Sequence, residues 1–239
     1  MEPDGAVDRA PSAPNGGGAR HAESARFRLI SLAEFVLGAG VVLGHNVWRV
    51  VPNEVPILVL AGFLSIRLRR VGWAGLGFRR PHSWVCIGGI ALAAAVLRVV
   101  LGDFVIDPLT SRVWPAAIVP AGAEAIPGHV GAALVALLVV WGFAAFGEEI
   151  AYRGYLLGRL ADALGRSRAA YWVAVAATAI LFGFGHYYKG PAGILDSGVA
   201  GLVLGAAYML AGNNIWASIL AHGFIDTYAV AATFLGQSP

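Results

Sequence analysis

Cysteine and charge are both scarce in this sequence. The single cysteine, Cys86, excludes an intrachain disulfide framework and any cysteine-based metal cluster. Charged residues make up 13% of the 239 residues and hydrophobic ones 58%. A soluble domain carries roughly a quarter charged and just under half apolar residues. A water-soluble fold of this length has too little interior to hide so much apolar surface. A soluble globular enzyme is therefore a poor fit, and a polytopic membrane protein is the expectation. The formal net charge is +3, but the arginines flank apolar runs and are not interleaved with aromatics. That pattern sets membrane topology and gives no sign of nucleic-acid binding.

Residues 1–25 differ from the rest. They are rich in Gly, Ala, Pro and Ser and lack an apolar run. A secretory signal needs a basic start followed by an apolar stretch, and this order is missing. The segment reads as a disordered cytoplasmic tail, and residues 26–239 as one membrane-embedded domain. A span takes about 20 mainly apolar residues. The candidates are Leu29–Trp48, Val55–Leu68, Trp84–Leu101, Val130–Leu160, Ala169–Tyr187, Ile194–Ala211 and Ile215–Leu235, which makes six or seven spans, Val55–Leu68 being the short one. The fold class expected is an all-α, polytopic helical bundle. Arg26, Arg28, Arg67, Arg69, Arg70, Arg79, Arg80, Arg159, Arg166 and Arg168 fall on one side of this arrangement, and only Arg49, Arg112 and Lys189 on the other. The richer side faces the cytoplasm, so the N-terminus is expected there.

Ionisable groups inside a membrane cost about 2.5–3.5 kcal/mol each on insertion scales and call for a reason. Gly147-Glu148-Glu149-Ile150-Ala151-Tyr152-Arg153 follows an apolar, aromatic stretch. Glu149 and Arg153 are four apart, acid first, and can pair along one helix face. Glu148 lies about 100° round an α-helix from Glu149, so Arg153 cannot serve both equally. One carboxylate is then a structural charge and the other is left unpaired in an apolar setting, as a general base requires. The alternative is a helix end leaving the membrane, where acids and arginines are ordinary. His186 follows Phe182 by one turn, so the two rings can stack, although a lone histidine is as readily a packed or interfacial residue. His222 and Asp226 are also one turn apart in the last apolar run, where the carboxylate can fix the imidazole's tautomer. These groups reach a common depth only if the fourth helix continues to about Leu160 and the fifth span starts about a turn after Ala169.

Weaker polar features have structural readings. Glu34 and His45 share a helix face, on which they could line one cavity or pair with Arg98. Gly154-x-x-x-Gly158 and Gly201-x-x-x-Gly205 are close-packing signals between helices, and Asn213 and Asn214 cap or turn between the last two spans. The Gly-x-Ser loop of a serine site and the paired Asp settings of an aspartyl site are both missing.

Three motifs in order, Glu148-Glu149-x-x-x-Arg153, Phe182-x-x-x-His186 and His222-x-x-x-Asp226, resemble the CPBP family, the CAAX-protease and bacteriocin-processing proteins related to type II CAAX prenyl endopeptidases. The motif core covers about 130–235, and the run Trp73 to Pro81 looks like the family's lead-in to the following span. The resemblance implies an intramembrane endopeptidase in which Glu148 activates a water that His186 helps to hold. His222 and the residue one turn on would stabilise the oxyanion, and Glu149 and Arg153 would support the site. The family often has Asn where this chain has Asp226. An ionised Asp repels an oxyanion, so Asp226 is protonated, orients His222 or serves as a ligand.

No cofactor is assigned. There is no His-Glu-x-x-His, yet two histidines and a carboxylate can form a three-ligand zinc site with an open position, so a divalent metal such as zinc stays open beside a metal-free mechanism. The expected partners are a membrane-associated protein or peptide substrate and the lipid bilayer, in a bacterial inner membrane. The competing readings are a non-catalytic scaffold or immunity-type membrane protein, and a proton-coupled transporter, against which the lack of an inverted repeat argues.

Overall fold

The computed structural model describes residues 16–119 and 121–237, and among these every regular element is helical. Helix α1 runs Gly16–Asn46 and α2 Glu54–Leu68. Helix α3, Trp84–Thr110, includes a π-helical turn at Gly102–Ile106. Helix α4 is continuous over Val130–Ala163. Helices α5, Arg168–Phe184, α6, Gly190–Leu210, and α7, Ile215–Phe234, complete the bundle.

Five helices are long and apolar enough to cross a membrane: Ser24–Asn46 within α1, Trp84–Thr110, Val130–Ala163, Tyr187–Leu210 and Ile215–Phe234. Helix α5 is apolar but shorter. Helix α2, the short candidate, has 15 residues and carries Glu54 and Arg67. The chain is thus a multi-pass helical membrane protein. Within the stretch read as a tail, α1 is described from Gly16 onward; residues 1–15 lie outside the described residues. Ala19, Arg20, Ala22, Glu23 and Ala25 are good helix formers, and extending an existing helix costs far less than nucleating one.

Short connections cap themselves from local sequence. Asn53 accepts from the Val55 amide, Ser83 from Cys86, Ser167 from Ala170 and Asn214 from Trp216. Asn214 also donates through Nδ2 to the Arg79 carbonyl at 3.1 Å, and the Ile215 amide donates to the Gly77 carbonyl at 3.0 Å. The run from Trp73 to Pro81 is thereby fastened to the start of α7. Glycines permit the closest helix contacts. A Cβ on Gly201 of α6 would fall 2.8 Å from the Ala179 Cα of α5, so only hydrogen fits there. Gly205 meets Val175 and Gly154 the Leu76 carbonyl in the same way, whereas Gly158 faces open space.

The weaker polar residues find partners the sequence pattern does not suggest. Glu34 takes Arg69 at 2.7 Å and Ser65 at 2.6 Å. His45 lies 3.4 Å from Glu54. Arg98 pairs with Asp196 across α3 and α6, not with Glu34 or His45.

Candidate active site

Helix α4 carries the first motif and is not a simple α-helix there. Val140–Glu148 and Ile150–Leu156 are wound as π-helix, interrupted by Glu149. Such i→i+5 winding is rare and is frequent at functional sites. Its wider turn brings Glu148 and Glu149 closer in azimuth than the α-helical spacing implies. The continuation of α4 to Ala163 meets the first of the two conditions for a common depth, while α5 is helical from Arg168. Residues Ile150–Leu156 are all buried, which places Arg153 inside the bundle.

Glu149 and Arg153 form the expected pair. Arg153 Nη1 lies 2.6 Å from Glu149 Oε1, and the two side chains are 1% and 0% exposed. Arg153 also donates through Nη2 to the Gly201 carbonyl at 3.0 Å. The close approach of α6 to α5 at Gly201 sets where that carbonyl stands. The face of Phe182 lies 4.7 Å from the Arg153 guanidinium carbon, a cation–π contact.

His222 comes to the same carboxylate. Its Nδ1 is 2.8 Å from Glu149 Oε1, and its Nε2 is 3.6 Å from Asp226 Oδ2. The tautomer is therefore governed first by Glu149, across 73 residues of sequence, and only more loosely by Asp226, one turn away. Gly223 lets the Trp141 ring lie directly on α7 beside His222. The Trp141 indole N–H donates to Thr227 at 3.1 Å and holds the ring there.

His186 ends α5. Its Nδ1 lies 2.9 Å from the Phe182 carbonyl, and its ring centroid is 4.8 Å from that of Phe182. Phe182 also meets the His222 ring edge to face at 5.9 Å. One buried phenyl ring thus touches both imidazoles and the Arg153 guanidinium. Glu148 stands apart from this bonding. It makes no hydrogen bond or ion pair among the described residues, its Oε2 is buried, and it lies within electrostatic reach of His222 and Asp226.

The six residues singled out from sequence thus occupy one region. Glu54, on α2, was not among them. It is 6% exposed, accepts from Asn46 at 3.0 Å, and neighbours Val55, which packs on Gly147 beside Glu148. Its position after Pro52-Asn53 signals an ordinary first-turn acid, so only the packing reveals its burial.

Among the described residues, no group of three or more His, Cys, Asp and Glu is arranged to hold a metal ion.

A membrane helical bundle with buried carboxylates and imidazoles defines a class, and comparison with known families narrows it. Residues 130–228 match the family described as Type II CAAX prenyl endopeptidase Rce1-like. The motif-bearing segment is therefore Rce1-like, in agreement with the group its motifs resemble, and the general activity of that family is proteolytic. No curated protein and no solved structure matches the chain.

Proposed function

We propose that this chain is an intramembrane endopeptidase that hydrolyses a peptide bond in a membrane-associated protein or peptide. The observation that carries the reading is the division of labour between adjacent carboxylates. Glu149 is tied through Oε1 to both Arg153 and His222, whereas Glu148 makes no hydrogen bond or ion pair among the described residues; the Oε2 atoms of both are buried without a partner. Glu148 would take a proton from a water as the water oxygen bonds to the carbonyl carbon. In its imidazolium form His222 holds Nδ1–H toward Glu149 and offers Nε2–H to the developing oxyanion. His186 would help hold the water. The proton taken by Glu148 then passes to the amine as the C–N bond breaks, so water is divided between the two products. Asp226, 3.6 Å from His222 Nε2, best suits an orienting role, since an ionised carboxylate would repel the oxyanion. No step runs through a metal.

The membrane assigned is a bacterial inner membrane, with the N-terminus cytoplasmic because ten of the loop arginines and lysines fall on that side and three on the other. The test uses purified protein in liposomes and a mixed library of quenched peptides, some lipidated, with and without chelator. Cleavage by wild type and its loss in Glu148→Gln and His222→Ala, with all three folded, is expected. Equal cleavage by all three would put the chemistry elsewhere. A transporter would instead move solute with the pH gradient and cleave nothing.

A further inference from the structure

A second dense charge cluster gathers where α1 begins and α2 and α4 end. Asp162, with a side chain 1% exposed, takes Arg159 Nη2 at 3.1 Å and the Nε of Arg166, and lies 3.8 Å from Arg69 Nη1. Glu34 takes Arg69 Nη2. Arg28 joins from α1, its guanidinium resting so close to Gly165 that a Cβ there would be 3.0 Å from Nη2. Among the described residues, four guanidiniums therefore share two carboxylates. Arg69 Nε and Arg159 Nε are buried without an acceptor among the described residues, Arg69 Nη1 reaches Asp162 Oδ2 only at ion-pair distance, Asp162 Oδ2 itself has no hydrogen bond, and Arg159 is 2% exposed. Buried donors without acceptors are costly, and cationic ones more so.

The location suggests what completes the set. Arg69 follows the last residue of α2, Arg28 lies in the first turns of the span beginning at Ser24, and Asp162 and Arg166 bracket the end of α4 at Ala163. Arg28 and the Asp162–Arg166 pair thus stand at the ends of two candidate spans, beside the end of the shorter α2. Arg28 and Arg166 are open to the surroundings, the Arg166 side chain being 59% exposed. Planar guanidinium forks match phosphate oxygens, and basic pockets between membrane helices take anionic headgroups. We propose that this cluster binds the phosphate of an anionic phospholipid from the leaflet that surrounds it, with Arg28 and Arg166 as its outer contacts. This site is separate from the proposed catalytic residues and does not depend on their roles.

The test is lipid retention by the full chain in neutral detergent, read by native mass spectrometry and by the unfolding midpoint. Phosphatidylglycerol is compared with phosphatidylcholine of the same chains, and inorganic phosphate is added as competitor. Wild type is expected to retain phosphatidylglycerol selectively, and Arg28→Gln/Arg166→Gln to weaken it by roughly five-fold per arginine. Arg79→Gln/Arg80→Gln, which removes equal charge in another loop, should leave retention unchanged. Equal retention of both lipids by wild type overturns the proposal, and so does an equal loss in the two double variants, which would indicate diffuse surface charge. Displacement by inorganic phosphate at matched concentration would assign the site to free phosphate and overturn the lipid. The wild-type comparisons decide the matter even where a variant fails to fold.

Discussion

The Oε1 atom of Glu149 serves two partners at once, Arg153 Nη1 at 2.6 Å and His222 Nδ1 at 2.8 Å. A single fully buried oxygen thus ties the middle of α4 to α7 and, through the Arg153 contact with the Gly201 carbonyl, to α6. Removing it leaves Arg153 as a buried charge without its carboxylate. Breaking a buried pair from one side typically costs about 3–5 kcal/mol. Glu149→Gln should therefore lower the unfolding midpoint in detergent sharply, whatever its effect on activity, and a variant as stable as wild type would show that the pair is dispensable.

Glu148→Gln should behave in the opposite way. Glu148 has no ion pair to lose, and an amide fills nearly the same volume. Its unfolding midpoint is expected to equal or exceed that of wild type, because the amide removes a carboxylate charge that has no partner. Cleavage should fall by about 10²–10⁴-fold, the usual contribution of a positioned base. A folded Glu148→Gln protein with undiminished cleavage would remove Glu148 from the mechanism. The contrast between neighbouring glutamates is sharper than either result alone.

The reach of the sequence reading follows the range of the interactions. Helix periods and caps are local, so the Trp84 start of α3, the Ile215 start of α7 and the Asn214 cap are legible residue by residue. The Glu149–Arg153 pair and the Phe182–His186 contact are legible too, since both lie within one turn. Contacts between helices are not. Arg98 meets Asp196 from 98 positions away, and no spacing rule announces it. His222 has an acid one turn on, so sequence favours Asp226, whereas the closer carboxylate comes from α4. The π-helical winding of Val140–Leu156 is also hidden, because apolar and aromatic residues there fit an α-helix equally well on propensity.

Phe182 offers a test of whether aromatic contact matters to the charged core. Its ring lies against Arg153, His186 and His222 together. Phe182→Leu keeps an apolar side chain but loses the cation–π contact, worth about 0.5–2 kcal/mol, and the support for both imidazoles. A moderate drop in unfolding midpoint is expected, with a larger proportional loss of cleavage in a peptide assay. Loss of stability with full activity would mean that the ring only fills space.

Close packing at Gly201 makes a purely steric prediction. A methyl group there meets the Ala179 backbone at 2.8 Å, a distance real Cβ atoms avoid, and the backbone cannot turn aside as a side chain would. Gly201→Ala must push α6 away from α5 and shift the carbonyl that receives Arg153. Overpacking of this kind costs about 1–3 kcal/mol. Gly158→Ala, on α4 where a Cβ meets nothing within 4 Å, should be neutral or slightly stabilising on helix propensity. Equal effects of the two substitutions on the unfolding midpoint would contradict the packing assigned to α5 and α6.

Arg98 and Asp196 form an ion pair between α3 and α6, with side chains 11% and 25% exposed. Arg98 Nε is buried without an acceptor, so the pair is a cost met only while both partners are present. Asp196→Leu should destabilise by about 3 kcal/mol, because it leaves an arginine unpaired inside the bundle. Arg98→Leu/Asp196→Leu removes both charges and should recover most of that loss, as apolar replacements of buried pairs often do. The readout is a double-mutant cycle of unfolding free energies in detergent. Additive losses, with no recovery in the double variant, would mean that the two residues stabilise the bundle independently and that their pairing contributes nothing.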